Sequence, residues 1–304
     1  MICKRLILAV ATIASALTGI SAHQAQTTIR SGVEVVLVPV SVTAGDRPVP
    51  GLTSADFTLQ DNGVAQDVTC AAGESLPVDV TLVIDTSGSV KGKALEQFNA
   101  DVQRIAESLQ PNDRLRLITF AYNATDVSGL QPGGVPVTLD RITAGGATSL
   151  YNALAAALMA LPRSDRPQLV FGFSDGLDNM SFLDASGLVS VAAHSHAVLY
   201  LELVSRSEPV RARAATNGGF LPYGGGPNRR LLTEAANRTG GALFQRSAGT
   251  SLFAQFEHVM DEFHSSYVLT FTPRGVKAEG WHTLTVRTKN SGYRLRWRTG
   301  YEGG

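Results

Sequence analysis

Oxygen-bearing side chains stand at alternate positions directly after an uncharged run of β-forming residues. The run covers residues 80–84, and Asp85, Ser87 and Ser89 follow it. A short apolar run of this kind predicts a strand buried on both faces, and open α/β sheets bind ligands beyond the carboxyl ends of their strands. One carboxylate and two hydroxyls are hard oxygen donors, which suit Mg²⁺ or a similar cation.

Two later stretches carry donors of the same kind. Thr148 lies in a Gly-rich loop where a helical pattern begins, and Asp175 comes just after an apolar strand that ends at residue 173. Because the carboxyl ends of parallel strands meet at one edge of a sheet, we expect both to lie on the same rim as Asp85. The alternative without a metal is a pair of helix-capping serines beside a buried aspartate.

The elements that must position these donors alternate between strands and helices from residue 78 onwards. This alternation predicts an α/β fold, with a doubly wound, mostly parallel sheet and helices on both faces. The predicted strands are 80–85, 114–120, 168–173, 197–204 and 242–245. The predicted helices are 94–109, 149–161, 184–194, 230–238 and 251–263.

The segments on either side of this unit are rich in β-forming residues. Residues 31–73 include the hairpin signal Asn62-Gly63, and residues 265–301 contain three predicted antiparallel strands. Neither segment has enough strands for a good core, so we expect the two to pack together as one small β-domain. Arginines 294, 296 and 298 share one face of the last strand, which we interpret as a solvated sheet surface. A contact surface for an acidic partner is the alternative.

The first residues have the pattern of a secretory signal peptide. Lys4 and Arg5 precede an apolar run that ends near Ile20, and small residues follow up to Ala22. We therefore expect residues 1–22 to be removed, which indicates a secreted, periplasmic or cell-envelope protein without a membrane span after cleavage. A membrane anchor is the alternative, although the run is shorter than the roughly 20 residues that a span needs.

The composition argues against several classes of function. Lys plus Arg equals Asp plus Glu at 26 each, so no net charge favours nucleic acid as a partner. The chain has no Gly-x-Ser-x-Gly elbow and no phosphate-binding P-loop. We therefore expect no catalytic residues and no enzyme activity. A secreted hydrolase that uses the same ion to activate water is the alternative, although no general base stands out.

In combination, these motifs resemble the von Willebrand factor type A (VWA) domain family. Asp85, Ser87 and Ser89 match the first loop of its metal-ion-dependent adhesion site, Thr148 matches the second and Asp175 the third. The resemblance implies a Rossmann-like VWA fold and a bound Mg²⁺, with Mn²⁺ or Ca²⁺ as alternatives. It also implies that the ion keeps one position for an Asp or Glu side chain of a partner protein.

The resemblance places the VWA domain at residues 78–264, between the β segments 31–73 and 265–301. The runs at 52–63 and 266–273 are similar to a secreted bacterial branch of the family. The sequence therefore predicts a secreted, metal-dependent protein-binding or adhesion module. The long Gly-rich stretch 205–229 is predicted to border the metal and help to select the partner.

Overall fold

The computed structural model describes residues 35–45, 47–72, 76–88, 90, 92–140, 142–160, 166–204, 228–246 and 251–304. The predicted signal peptide, Ser89 and residues 205–227 lie outside these ranges. The strands are β1 (Val36–Ala44), β2 (Arg47–Pro48), β3 (Phe57–Asp61), β4 (Val64–Gln66), β5 (Thr69–Ala72), β6 (Asp79–Asp85), β7 (Arg114–Phe120), β8 (Ala124–Asp126), β9 (Gln131–Pro132), β10 (Gln168–Ser174), β11 (Val198–Val204), β12 (Ala242–Arg246), β13 (Tyr267–Phe271), β14 (Gly280–Thr288), β15 (Arg294–Trp297) and β16 (Gly300–Gly303). The helices are α1 (Lys93–Ser108), α2 (Leu150–Met159), α3 (Ala185–His194), α4 (Arg229–Arg238) and α5 (Leu252–His264).

The central sheet is parallel except at one edge. Its strand order is β12-β11-β10-β6-β7-β8, and the short strands β8 and β9 pair antiparallel with β7. β6 lies between β10 and β7, so the chain reverses its direction of winding between β6 and β10. Such a reversal is a topological switch point, where open α/β sheets bind their ligands.

Helices cover both faces of this sheet, as the sequence predicted. On one face α1 and α5 bury Phe98 and Phe256 against strand residues such as Phe171. On the other face α2, α3 and α4 bury a second apolar cluster, which includes Leu154 and Leu232. The α/β fold class, doubly wound with a mostly parallel sheet, is therefore confirmed.

The strands near the two ends of the described chain pair with one another. β1 pairs antiparallel with β13 and β15, β5 pairs with β13, and β14 pairs with β3 and β16. The two sheets so formed share one apolar core, in which Phe57 contacts Tyr267 at a ring-centroid distance of 5.4 Å. We call these two sheets the β-sandwich. Its status as a separate domain with the boundaries 31–73 and 265–301 stays a prediction.

The arginine face of β15 differs from the expected solvated surface. Arg294 is exposed, but Arg296 forms an ion pair with Glu262 of α5, and Arg298 is only 2% exposed. Arg298 donates to Gly300 O at 2.8 Å and lies 3.0 Å from His196 Nδ1. The alternation of side chains was predicted correctly, but this face is partly covered, because Glu262 pairs with Arg296 and His196, which precedes β11, lies beside Arg298.

Among the residues that the structure describes, no helix is both long and apolar enough to span a membrane.

Candidate metal centre

Asp85 stands at the carboxyl end of β6 and is buried. Its Oδ1 accepts a hydrogen bond from Ser87 N at 2.9 Å, and its Oδ2 accepts one from Ser174 Oγ at 2.8 Å. Both carboxylate oxygens are therefore held in place, one by the loop after β6 and one by the last residue of β10. This contact brings the first and third loops together at the switch point.

Hydrogen bonds also join the second loop to the third. Thr148 N donates to Asn179 Oδ1 at 2.8 Å, and Thr148 O accepts from Asn179 N at 3.0 Å and from Met180 N at 3.1 Å. Asp175 Oδ1 accepts from Leu177 N at 3.0 Å, which tightens the turn that carries this carboxylate. Thr148 is buried, whereas Asp175 is partly open to solvent.

The first and second loops meet through their backbones. Gly88 N donates to Gly146 O at 3.2 Å, and Gly145 N donates to Thr86 O at 2.9 Å. Gly146 has a φ of +86°, and the Tyr122 ring occupies the space that a side chain would need. A residue other than glycine would therefore be strained and would also displace the ring. All three loops thus form one connected rim.

The electrostatics of the rim favour a cation. Burial raises the pKa of the Asp85 carboxyl, and the negative charge of Asp175 acts in the same direction. Hydrogen bonds from Ser87 and Ser174 oppose this rise by stabilising the charged form. Two carboxylates that repel each other beside buried hydroxyls are a donor set that suits a hard divalent cation.

Any ion held here would need hydroxyl oxygens in its shell. In the described part of the chain, no cluster of three or more His, Cys, Asp or Glu side chains is placed to hold a metal. Asp85, Ser87, Thr148 and Asp175 all lie on the rim, and Ser89 lies outside the described residues. Their assignment as metal ligands stays a prediction.

Some residues that shape the rim were not singled out from the sequence as part of the site. Ser174 was not predicted to contact Asp85, although its position at the end of β10 was a usable signal. Asp178 and Asn179 follow Asp175 in the third loop. The structure shows that both hold the loops: Asn179 bonds to Thr148, and Asp178 accepts from Tyr151 N at 2.9 Å.

Asp178 should matter for stability because it bonds to two segments. Its Oδ1 accepts from Ser181 N at 3.0 Å, and its Oδ2 accepts from Ser181 Oγ at 2.6 Å as well as from the first turn of α2. We expect Asp178→Ala to lower the free energy of unfolding by about 1–2 kcal/mol, as the loss of a helix-capping side chain does. Urea unfolding followed by the helical circular dichroism measures this. A loss below about 0.3 kcal/mol would show that the bonds are not needed.

Comparison with known proteins finds a family model that matches part of the chain. Residues 80–183 match the model of a VWA-like domain (DUF2201). The range includes the three loops of the rim.

Two individual relatives match parts of the chain. Inter alpha-trypsin inhibitor heavy chain 4 of Mus musculus is 32% identical over 109 residues, which are 33% of this chain and 12% of that protein. The uncharacterized protein sll0103 of Synechocystis is 26% identical over 187 residues, covering 58% of this chain and 43% of that one. The chain therefore spans less than half the length of either relative.

Among solved structures, the chain resembles a von Willebrand factor type A protein from Catenulispora acidiphila, with 13% identity and a TM-score of 0.48. The match covers 84% of this chain and 64% of that one. Residues 80–183 are thus similar to a VWA-like domain, and the strand order described above is of the α/β kind.

Proposed function

We propose that the rim binds a divalent cation through Asp85, Ser87, Ser89, Thr148 and Asp175, and that this cation binds an Asp or Glu side chain of a partner protein. Mg²⁺ is the proposed ion, with Mn²⁺ or Ca²⁺ as alternatives. The observation that carries the proposal is the set of hydrogen bonds that join three separate loops at the switch point, beginning with Ser174 to Asp85 at 2.8 Å.

The residues of the rim have distinct tasks in this proposal. Asp85 and Asp175 supply two negative charges, which nearly neutralise a divalent ion. The hydroxyl groups supply oxygen ligands that add no further charge. A bound divalent cation supplies a coordination position that a carboxylate oxygen can fill. Without the cation, Asp85 and Asp175 would repel an acidic side chain, so partner binding should depend fully on the metal.

We also propose that the chain is exported, either out of the cell or into the cell envelope. The support for this is the basic and apolar pattern at residues 1–22. A metal-dependent contact with another protein fits such a location, and no catalytic step is proposed.

Metal binding should raise the thermal stability of the protein. Because the ion relieves repulsion between Asp85 and Asp175, we expect about 2.7 kcal/mol of added stability when free Mg²⁺ is about 100 times its dissociation constant. The measurement is the midpoint of thermal unfolding, followed by helical circular dichroism, in Mg²⁺ and in chelator. Asp175→Asn, which keeps the shape of the side chain but removes its charge, should abolish the difference.

A matched control keeps this test specific. Asp67 is exposed and lies in the β-sandwich, so Asp67→Asn should retain the full response to Mg²⁺. An unchanged midpoint in the wild-type protein on adding Mg²⁺, Mn²⁺ or Ca²⁺ would contradict the metal site.

A further inference from the structure

Large apolar side chains are exposed on the loops around the candidate metal centre. Tyr122 is 57% exposed, Met180 is 50% exposed and Phe182 is fully exposed. Leaving apolar area in water costs about 25 cal/mol per Å². Aromatic and methionine side chains are also enriched where proteins bind one another.

Tyr122 and Met180 both contact the loop that carries Thr148, one of the proposed metal ligands. The Tyr122 ring packs against Gly146, and Met180 N donates to Thr148 O at 3.1 Å. Gly146 and Thr148 are two residues apart, which is at most about 7 Å along the chain. Tyr122 and Met180 therefore contact the same short loop, and Phe182 follows two residues after Met180.

The backbone that carries Met180 and Phe182 is held in one conformation. Asp178 Oδ1 accepts from Met180 N at 3.3 Å and from Ser181 N at 3.0 Å, and Leu183 N donates to Asn152 Oδ1 at 3.1 Å. Apolar side chains on a held backbone lose less conformational entropy when they bind than those on a loose loop. The exposure is thus a property of an ordered surface.

We propose that Tyr122, Met180 and Phe182 form an apolar contact surface that selects partners in which the acidic residue has an apolar neighbour. We call these three residues the apolar collar. The occupant is an extended segment of a partner protein. An extended strand rises about 3.3 Å per residue, so an apolar side chain about two residues from the acidic one reaches the collar. This proposal rests on the proposed metal-dependent function for the acidic contact.

Selection from a library of short random peptides tests the proposal. The full chain is immobilised in Mg²⁺, and a parallel selection in chelator serves as the reference. We expect enriched peptides to contain Asp or Glu with an aliphatic or aromatic residue about two positions away. One enriched peptide is then synthesised and titrated against the wild-type chain and its variants.

The variants separate the apolar collar from the metal site. Phe182→Ser should weaken peptide binding by about tenfold, and Met180→Ser should also weaken it, while neither should change the stabilisation by Mg²⁺. Met159→Ser is the control, because Met159 is also an exposed methionine, with 72% of its surface accessible. It lies at the last residue of α2, about 15 Å from the end of that helix that borders the rim. This variant should bind the peptide as the wild type does.

The possible outcomes distinguish the apolar collar from the proposed metal-dependent function. Enriched peptides without apolar neighbours, or equal binding by Phe182→Ser, would overturn the collar and leave the metal site intact. Peptide binding that survives chelator, or the absence of any stabilisation by divalent metal, would overturn the proposed function itself. A library that yields no enriched peptide, or a metal-dependent dimer that covers the collar, would overturn the inference about the partner.

Discussion

Replacing Asp61 by alanine should lower the free energy of unfolding by about 2–6 kcal/mol, because two buried groups lose their hydrogen-bond acceptor at about 1–3 kcal/mol each. Asp61 is fully buried, and its carboxylate lies 2.8 Å from His282 Nδ1 and accepts from Tyr301 OH at 2.7 Å. His282 Nε2 has no hydrogen-bond partner among the described residues. The variant would therefore leave a buried imidazole and a buried hydroxyl without their acceptor.

The chain offers a direct way to observe this loss. Its two tryptophans, Trp281 and Trp297, lie in β14 and β15, so tryptophan fluorescence during urea unfolding reports on the β-sandwich. Asp67→Ala is the matched control, because its 3.8 Å pair with Arg274 is exposed and should contribute less than about 1 kcal/mol. A loss of under 1 kcal/mol for Asp61→Ala would mean that the network does not stabilise the β-sandwich.

Phe256→Ala should also cost about 3–5 kcal/mol, because it leaves a cavity under α5. Phe256 is buried on the face that α5 shares with α1, and its ring lies 6.1 Å from that of Phe171 in β10. The loss should therefore weaken the attachment of α5 to the central sheet.

Urea unfolding followed by the helical circular dichroism measures this effect. Phe256→Leu keeps most of the volume and should cost less than about 1.5 kcal/mol. Glu257→Ala changes an exposed neighbour on the same helix and should stay within about 0.5 kcal/mol of wild type. A cost for Phe256→Ala no larger than that of Phe256→Leu would show that the site collapses around the gap.

The central parallel strands β6, β10 and β11 could be predicted closely because they are buried almost throughout and so read as largely apolar runs. β7 begins and ends where the sequence predicted, at Arg114 and Phe120. The helices were placed within two residues because prolines, asparagines and apolar periodicity mark their ends. The short strands β8 and β9 were missed, since two or three residues carry too little pattern to distinguish a strand from a loop.

Pairings between distant parts of the chain could not be predicted in the same detail. Local alternation assigned Arg296 and Arg298 to one face, but it could not show that Arg296 pairs with Glu262 of α5 or that Arg298 is buried. The three strands expected after residue 265 proved to pair mainly with β1, β3 and β5, and a fourth, β16, follows them. Pairing partners so far apart in sequence leave no mark on local periodicity.

At the rim, the sequence order of the loops was sufficient to predict that Asp85, Thr148 and Asp175 would lie on one edge. The hydrogen bonds that fix their relative positions could not be predicted, because they depend on side-chain geometry across loops. Ser174 and Asn179 illustrate this, since each contacts a residue of a different loop.

The pairing of β5 with β13 has a consequence for how the chain is made. Ala72 and Tyr267 face each other across this ladder, although the whole α/β unit separates them in sequence. During synthesis on the ribosome, β1, β3 and β5 are made first. Their edges stay unpaired until β13, β14 and β15 have been synthesised. Nascent chains stalled before Tyr267 should therefore be the species most prone to aggregate and most dependent on chaperones.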